Sequence, residues 1–87
     1  MVEMNLSMVK PGDKVKVTRI EGDMDYRRRV MDMGVIRGRI LDVIRVAPLG
    51  DPMELKVQGY MLSLRKDEVK GIYVLKVNQD EGGEKKW

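Results

Sequence analysis

Two residue types that this chain lacks bound the chemistry it can perform. Its 87 residues include no histidine and no cysteine. The usual general base and the commonest metal ligand are therefore missing, along with any thiolate nucleophile, disulfide or Cys-based zinc or iron–sulfur site. Ser7 and Ser63 have no imidazole to activate them. No Gly-x-x-x-x-Gly-Lys loop is present to hold nucleotide phosphates, and no helix presents paired carboxylates to a cleft. Asp23 and Asp25 stand close together, but helix capping accounts for the first of them. No catalytic, cofactor-binding or metal-ligating residues are expected, and the chain is not read as an enzyme.

The side-chain cluster with most chemical content is Arg27-Arg28-Arg29. A guanidinium supplied in trans can neutralise the charge that develops on a transferred phosphoryl group. A helix, however, spreads three successive residues over about 200° of its circumference, so at most two can face one partner. Three readings stand: a solvated helix face with Arg29 pairing to Asp25, Asp32 or a strand carbonyl; a docking surface without catalysis; and a true arginine finger. A second candidate is Pro48-Leu49-Gly50-Asp51-Pro52. Its prolines fix the backbone and would leave Leu49 exposed at little entropic cost. It is either a recognition loop or a rigid strand connection in which Asp51 accepts backbone hydrogen bonds within the turn.

The elements that position these groups follow from periodicity. Met4, Leu6 and Met8 alternate weakly, as a short strand or lead-in segment would, and Pro11-Gly12-Asp13 marks a turn. Val15 and Val17 alternate with Lys14, Lys16 and Thr18, the pattern of a half-buried strand. After Gly22 the period changes. Asp23 is a good N-cap, Tyr26, Val30 and Met33 fall at i, i+4 and i+7, and Gly34 stands where a helix needs a left-handed residue. The solvent face of this helix carries Arg27, Arg28 and Asp32.

Arg39 to Ala47 is apolar on both faces and predicts a bent strand buried on two sides. Met53, Leu55 and Val57 form the cleanest strand. Gln58-Gly59 signals a hairpin into Tyr60–Leu64, Lys66–Lys70 makes one turn, and Gly71–Val77 closes the sheet. The methionines are expected mostly in the core, as at Met33 and Met53. About five strands with one helix inserted after the first describe a small, closed or nearly closed β-barrel over residues 1–78. Residues 79–87 make a polar tail expected to be mobile.

Hydrophobic residues are 43% and charged residues 36% of the chain. That supplies a core and disfavours a membrane span. Nothing reads as an export signal, since Glu3 interrupts the N-terminal apolar residues. A cytoplasmic protein with no direct membrane insertion is expected. The net charge is +3, with acids and bases interspersed and only three Tyr, one Trp and no Phe. Nucleic-acid binding through a basic stripe with stacking aromatics is disfavoured by that pattern.

Taken in order, Met8-Val9-Lys10-Pro11-Gly12-Asp13, the helical Arg28-Arg29-Val30-Met31-Asp32-Met33-Gly34, Gly38, Ala47-Pro48-Leu49-Gly50-Asp51-Pro52 and Leu64-Arg65-Lys66 closely resemble the ferrous iron transport protein A (FeoA) family. The resemblance runs from about Leu6 to Val77. Valine and methionine replace leucine at some helix positions. It implies a Src-homology-3-like barrel and a cytoplasmic accessory of the ferrous iron permease FeoB, a membrane protein with a cytosolic GTP-binding domain. The same domain type ends metal-dependent transcriptional repressors, so the alternative is a stand-alone barrel acting on a repressor or on nucleic acid. The family invites a ferrous iron site, yet the residues argue against a specific one, leaving only weak or indirect association with the metal. The expected partner-binding residues are Arg27, Arg28, Pro48, Leu49, Gly50, Asp51, Tyr60 and Met61. A weak homo-oligomer through the same surface is also consistent with so small a core.

Overall fold

A computed structural model describes residues 2–77. The polar tail and the boundary before it lie outside the described residues. In chain order the elements are β1 (Met4–Asn5), a 3₁₀ turn (Leu6–Met8), β2 (Lys14–Ile20), α1 (Met24–Asp32), β3 (Ile40–Val46), β4 (Met53–Val57), β5 (Tyr60–Leu64), α2 (Lys66–Val69) and β6 (Ile72–Lys76). All pairings are antiparallel, in the order β1-β6-β2-β3-β4-β5.

Six strands and one long helix therefore form the expected mostly-β, barrel-like domain, with one strand more than the sequence suggested. The ladder does not close among the described residues, because β1 and β5 are edges. The reason lies in β1. The Asn5 side chain accepts a hydrogen bond from the Ser7 amide at 3.0 Å and turns the chain into the 3₁₀ segment after two paired residues. That turn also breaks the Met4, Leu6, Met8 alternation: Leu6 is fully buried and Met8 is exposed. So short an edge offers little template for unwanted pairing.

β2 organises the curl. It pairs with β3 through Lys14–Lys16 and with β6 along its length, and the register slips between Val17 and Arg19. Such a bulge increases twist and bends the strand, letting one strand serve two halves of a barrel-like sheet. Val15 and Val17 point inward as the alternation predicted. Fifteen hydrophobic side chains form the core, and no polar or charged residue among those described is buried. On the outer surface Thr18 donates to Glu3 at 2.6 Å, Arg19 pairs with Glu3 at 2.9 Å and with Glu21, and the Arg19 guanidinium lies 4.1 Å from the Tyr73 ring centroid. The Thr18 hydrogen bond holds the Glu3 carboxyl below its ordinary value, with Arg19 adding to the effect.

Two expectations are corrected. β3 is not buried on both faces. Leu41 and Val43 are inside, but a register shift between Val43 and Arg45 leaves Ile44 and Arg45 outside, and Ile40 is also exposed. Nor are the methionines mostly in the core. Met53 alone among those described is fully buried, Met4 and Met33 are half-buried, and Met8, Met24, Met31 and Met61 are exposed.

Gly71, immediately before β6, is a point of close backbone approach. Its carbonyl accepts from the Glu21 amide at 2.8 Å. A Cβ there would collide with the Glu21 carbonyl oxygen and come within 2.6 Å of the Tyr26 ring. Gly71→Ala is expected to lower unfolding free energy by about 1–3 kcal/mol, the usual penalty for overpacking. Urea denaturation measures this, and an unchanged midpoint would contradict the close approach.

Candidate functional site

α1 follows from local signals. The Asp23 side chain accepts from the Tyr26 amide at 2.8 Å, Asp25 sits in the first turn, and the helix ends where Gly34 adopts φ +101°. Only Val30 of its nine residues is fully buried, so packing alone holds it weakly. Two tyrosine hydroxyls fasten its ends. Near the N-terminus, Tyr26 donates to the Glu68 carbonyl at 2.5 Å and accepts from the Gly71 amide at 3.0 Å. At the C-terminus, Tyr60 donates from the hairpin to the Met33 carbonyl at 2.8 Å. A Cβ on Gly34 would strike the Tyr60 hydroxyl, so this glycine serves both the helix stop and the clamp.

The clamped helix presents Arg27, Arg28 and Arg29 to solvent. Arg27 and Arg28 border one shallow depression of about 360 Å³ with Met24, Met31 and Asp32. Arg29 makes no ion pair with Asp25 or Asp32 among the described residues. Arg27 and Arg28 make none either, although two acids share their helix. Met24 and Met31 were not singled out from the sequence. The signal was available: they fall seven residues apart, out of phase with the inward-facing Tyr26 and Val30.

The second sequence-predicted region is a closed loop between β3 and β4. The Ala47 amide donates to the Pro52 carbonyl at 3.1 Å and the Gly50 amide to the Ala47 carbonyl at 2.7 Å. Pro48 is exposed, and Leu49 is 83% exposed at the tip. Asp51 does not accept within the turn, the bond that the rigid-connection reading of this loop calls for. Its carboxylate accepts from the Lys66 amide at 3.2 Å and pairs with Arg65 at 3.3 Å, joining the loop to the start of α2. Because β4 and β5 pair with Met53 opposite Leu64, the loop lies beside the chain leaving β5.

Tyr60 and Met61 stand at the opposite end of the same hairpin, where Val57 pairs with Tyr60. Four strand residues, about 13 Å, separate that end from the loop. The structure thus brings Arg27 and Arg28 together and ties Tyr60 to their helix, but sets Leu49 and Asp51 apart from the hairpin tip. Met61 is 54% exposed, whereas the Tyr60 hydroxyl is already engaged. A further depression of about 560 Å³ crosses the outer sheet face near Lys14, Arg39, Ile40 and Lys56, and there Lys14 pairs with Asp42 at 2.9 Å. No group of three or more acidic residues among those described is arranged to hold a metal ion.

Comparison with known proteins adds identity to this geometry. The FeoA domain family profile matches residues 4–76, most of the chain. A Porphyromonas gingivalis protein, the Fe(2+) transport protein A/Fe(2+) transporter FeoB fusion protein, is 35% identical over 71 residues, covering 82% of this chain. The chain spans only 8% of that relative's length. The solution structure of a FeoA-like protein from Clostridium acetobutylicum superposes with a TM-score of 0.81 at 41% identity, over 90% of this chain and 91% of that one. A manganese-dependent transcriptional repressor shares the fold at a TM-score of 0.81, with 18% identity, over 88% of this chain and 42% of the repressor.

The Tyr26 clamp has a pH signature. Burial raises its phenol above the ordinary 10.0, with the Gly71 amide acting in the opposite direction. The unfolded chain therefore releases this proton first. The resulting stability is complete below pH 10 and is lost as pH rises through the folded value. Tyr26→Phe, which leaves the Glu68 carbonyl and the Gly71 amide without their partner, is expected to cost about 1–3 kcal/mol at neutral pH. The gap between the two proteins should narrow above pH 10. Urea melts across pH 7–11 check this, and a constant gap would contradict it.

Proposed function

The chain belongs to the FeoA family, and from that premise we propose that it serves ferrous iron uptake as a small accessory or regulatory subunit, docking on the cytosolic GTP-binding part of a FeoB-type permease. One observation carries this reading: in the Porphyromonas gingivalis relative the matching segment is covalently joined to the iron transporter. Such a link raises the effective concentration of two modules that work on each other. Among the described residues no helix is long and apolar enough to cross a membrane. Ferrous iron enters this reading as the permease's cargo, with no resident cofactor assigned to the chain. The contact residues we assign are Arg27, Arg28, the Pro48–Asp51 loop and the Tyr60–Met61 hairpin, acting on the cytoplasmic side.

The repressor-like fold supports a second reading, a barrel that acts on a metal-dependent repressor or on nucleic acid. The surface favours the first. Acids are interspersed with its bases, and the stacking aromatics of a nucleic-acid binder are few, with three Tyr, one Trp and no Phe. Titration calorimetry against the cognate permease's cytosolic portion, with and without guanine nucleotide, is expected to show binding near ~1–10 μM, ordinary for a transient contact. A gel shift on duplex DNA should show no band even at low salt. Absence of binding to both the cytosolic portion and the intact permease would refute the transport reading.

A further inference from the structure

The outward face of α1 has the composition of an interface. At about 100° per residue, Met24 and Met31 lie within about 20° of each other and about 100–160° from the inward-facing Tyr26 and Val30. Arg27 falls to one side of this methionine seam and Arg28 to the other. Met24 is 71% exposed and Met31 47%, although both sit on the longest helix of the domain. The four side chains, with Asp32, line the same depression. Arginine and methionine are the non-aromatic residues that interface cores enrich, the one for its planar fork and the other for its adaptable packing.

We propose that Met24, Arg27, Arg28 and Met31 form the docking surface of this chain, and that its occupant is a segment of the permease presenting an apolar side chain flanked by carboxylates. The proposal rests on the permease reading above and adds to it the face used and the chemistry recognised. Charge complementarity identifies the occupant: among the described residues neither arginine has an ion-pair partner, so both forks are available to carboxylates on either side of a buried apolar contact. A second copy of the chain fits poorly, since a two-fold contact sets the same patch against itself and opposes arginine to arginine. An anionic membrane fits poorly as well. Asp32 lines the depression and Asp25 shares the helix, whereas lipid-binding faces gather four to eight unopposed cations.

The test is a binding titration of the full chain against the detergent-solubilised cognate permease at 50 and 200 mM salt. Arg27→Glu/Arg28→Glu is expected to weaken binding at least tenfold and to flatten its salt dependence. Met24→Ser/Met31→Ser should weaken it at least tenfold with the salt dependence kept. Circular dichroism melts of both variants should match the parent, because all four side chains are exposed. Ile44→Ser, at an exposed apolar residue of β3 outside every assigned contact, should bind like the parent. If the parent binds and both α1 variants bind equally well, or only Ile44→Ser fails, the surface is wrong while the permease reading stands. If the parent itself does not bind, both fall. Loss by the α1 variants of binding to phosphatidylglycerol vesicles, or of self-association in sedimentation, with permease binding intact, would assign the face to another occupant and overturn the proposal.

Discussion

The Tyr26 hydroxyl is the interaction on which the arrangement of this domain depends. It lies where three parts of the chain converge: the end of β2, the single turn of α2 and the start of β6. By donating to Glu68 and accepting from Gly71 it satisfies one backbone group from each of the last two. An inserted helix that fully buries one residue cannot be held by apolar burial alone, since a buried valine contributes only about 1.5–3 kcal/mol. Polar anchoring at defined points supplies the remainder, and it works only if backbone and ring approach closely. Gly71 makes that approach feasible. Gly22, at φ +138° and with its Cβ position 2.6 Å from the Tyr26 ring, makes it from the other side.

The sheet imposes the second constraint. Since β4 and β5 run antiparallel over five residues each, whatever sits in the β3–β4 loop is held at one end and whatever sits at the hairpin tip at the other. Tyr60 at the tip reaches the last turn of α1, while Asp51 in the loop reaches the first turn of α2. The two helices are thus braced from opposite ends of one hairpin. The helix face and the Leu49 loop are separate presentations on one scaffold, not parts of a single patch.

Much of this was legible in the sequence, for identifiable reasons. Stretches with strict alternation, such as the Lys14–Val17 start of β2 and Met53–Val57, announce themselves because one face is buried and the other wet. α1 is legible because Asp23, Tyr26, Val30 and Gly34 signal cap, core and stop in order. β3 misled because a bulge shifts its phase partway along, so a run apolar on both faces is one with a single buried face and exposed Ile40 and Ile44. The methionines misled because composition alone assigns an unbranched apolar side chain to the core. Only the phase of Met24 and Met31 against Val30 places them outside. The Asp51 pairing could not be read at all, because it joins residues fifteen apart whose proximity exists only after β4 and β5 have found their register.

The same clamps bear on recognition. Ordering an interface on binding consumes free energy, about 0.5–1.5 kcal/mol for each long side chain immobilised and more where backbone must also be fixed. A nine-residue helix is too short to persist unaided in water. With Tyr26 pinning its first turn and Tyr60 its last carbonyl, its backbone is already fixed in the free protein, and only the Met24, Arg27, Arg28 and Met31 side chains remain to be ordered. Weak burial of the inner face and availability of the outer one therefore have the same cause. A helix held at its ends by hydrogen bonds leaves its long side uncommitted, which is the geometry that a small module acting by docking needs.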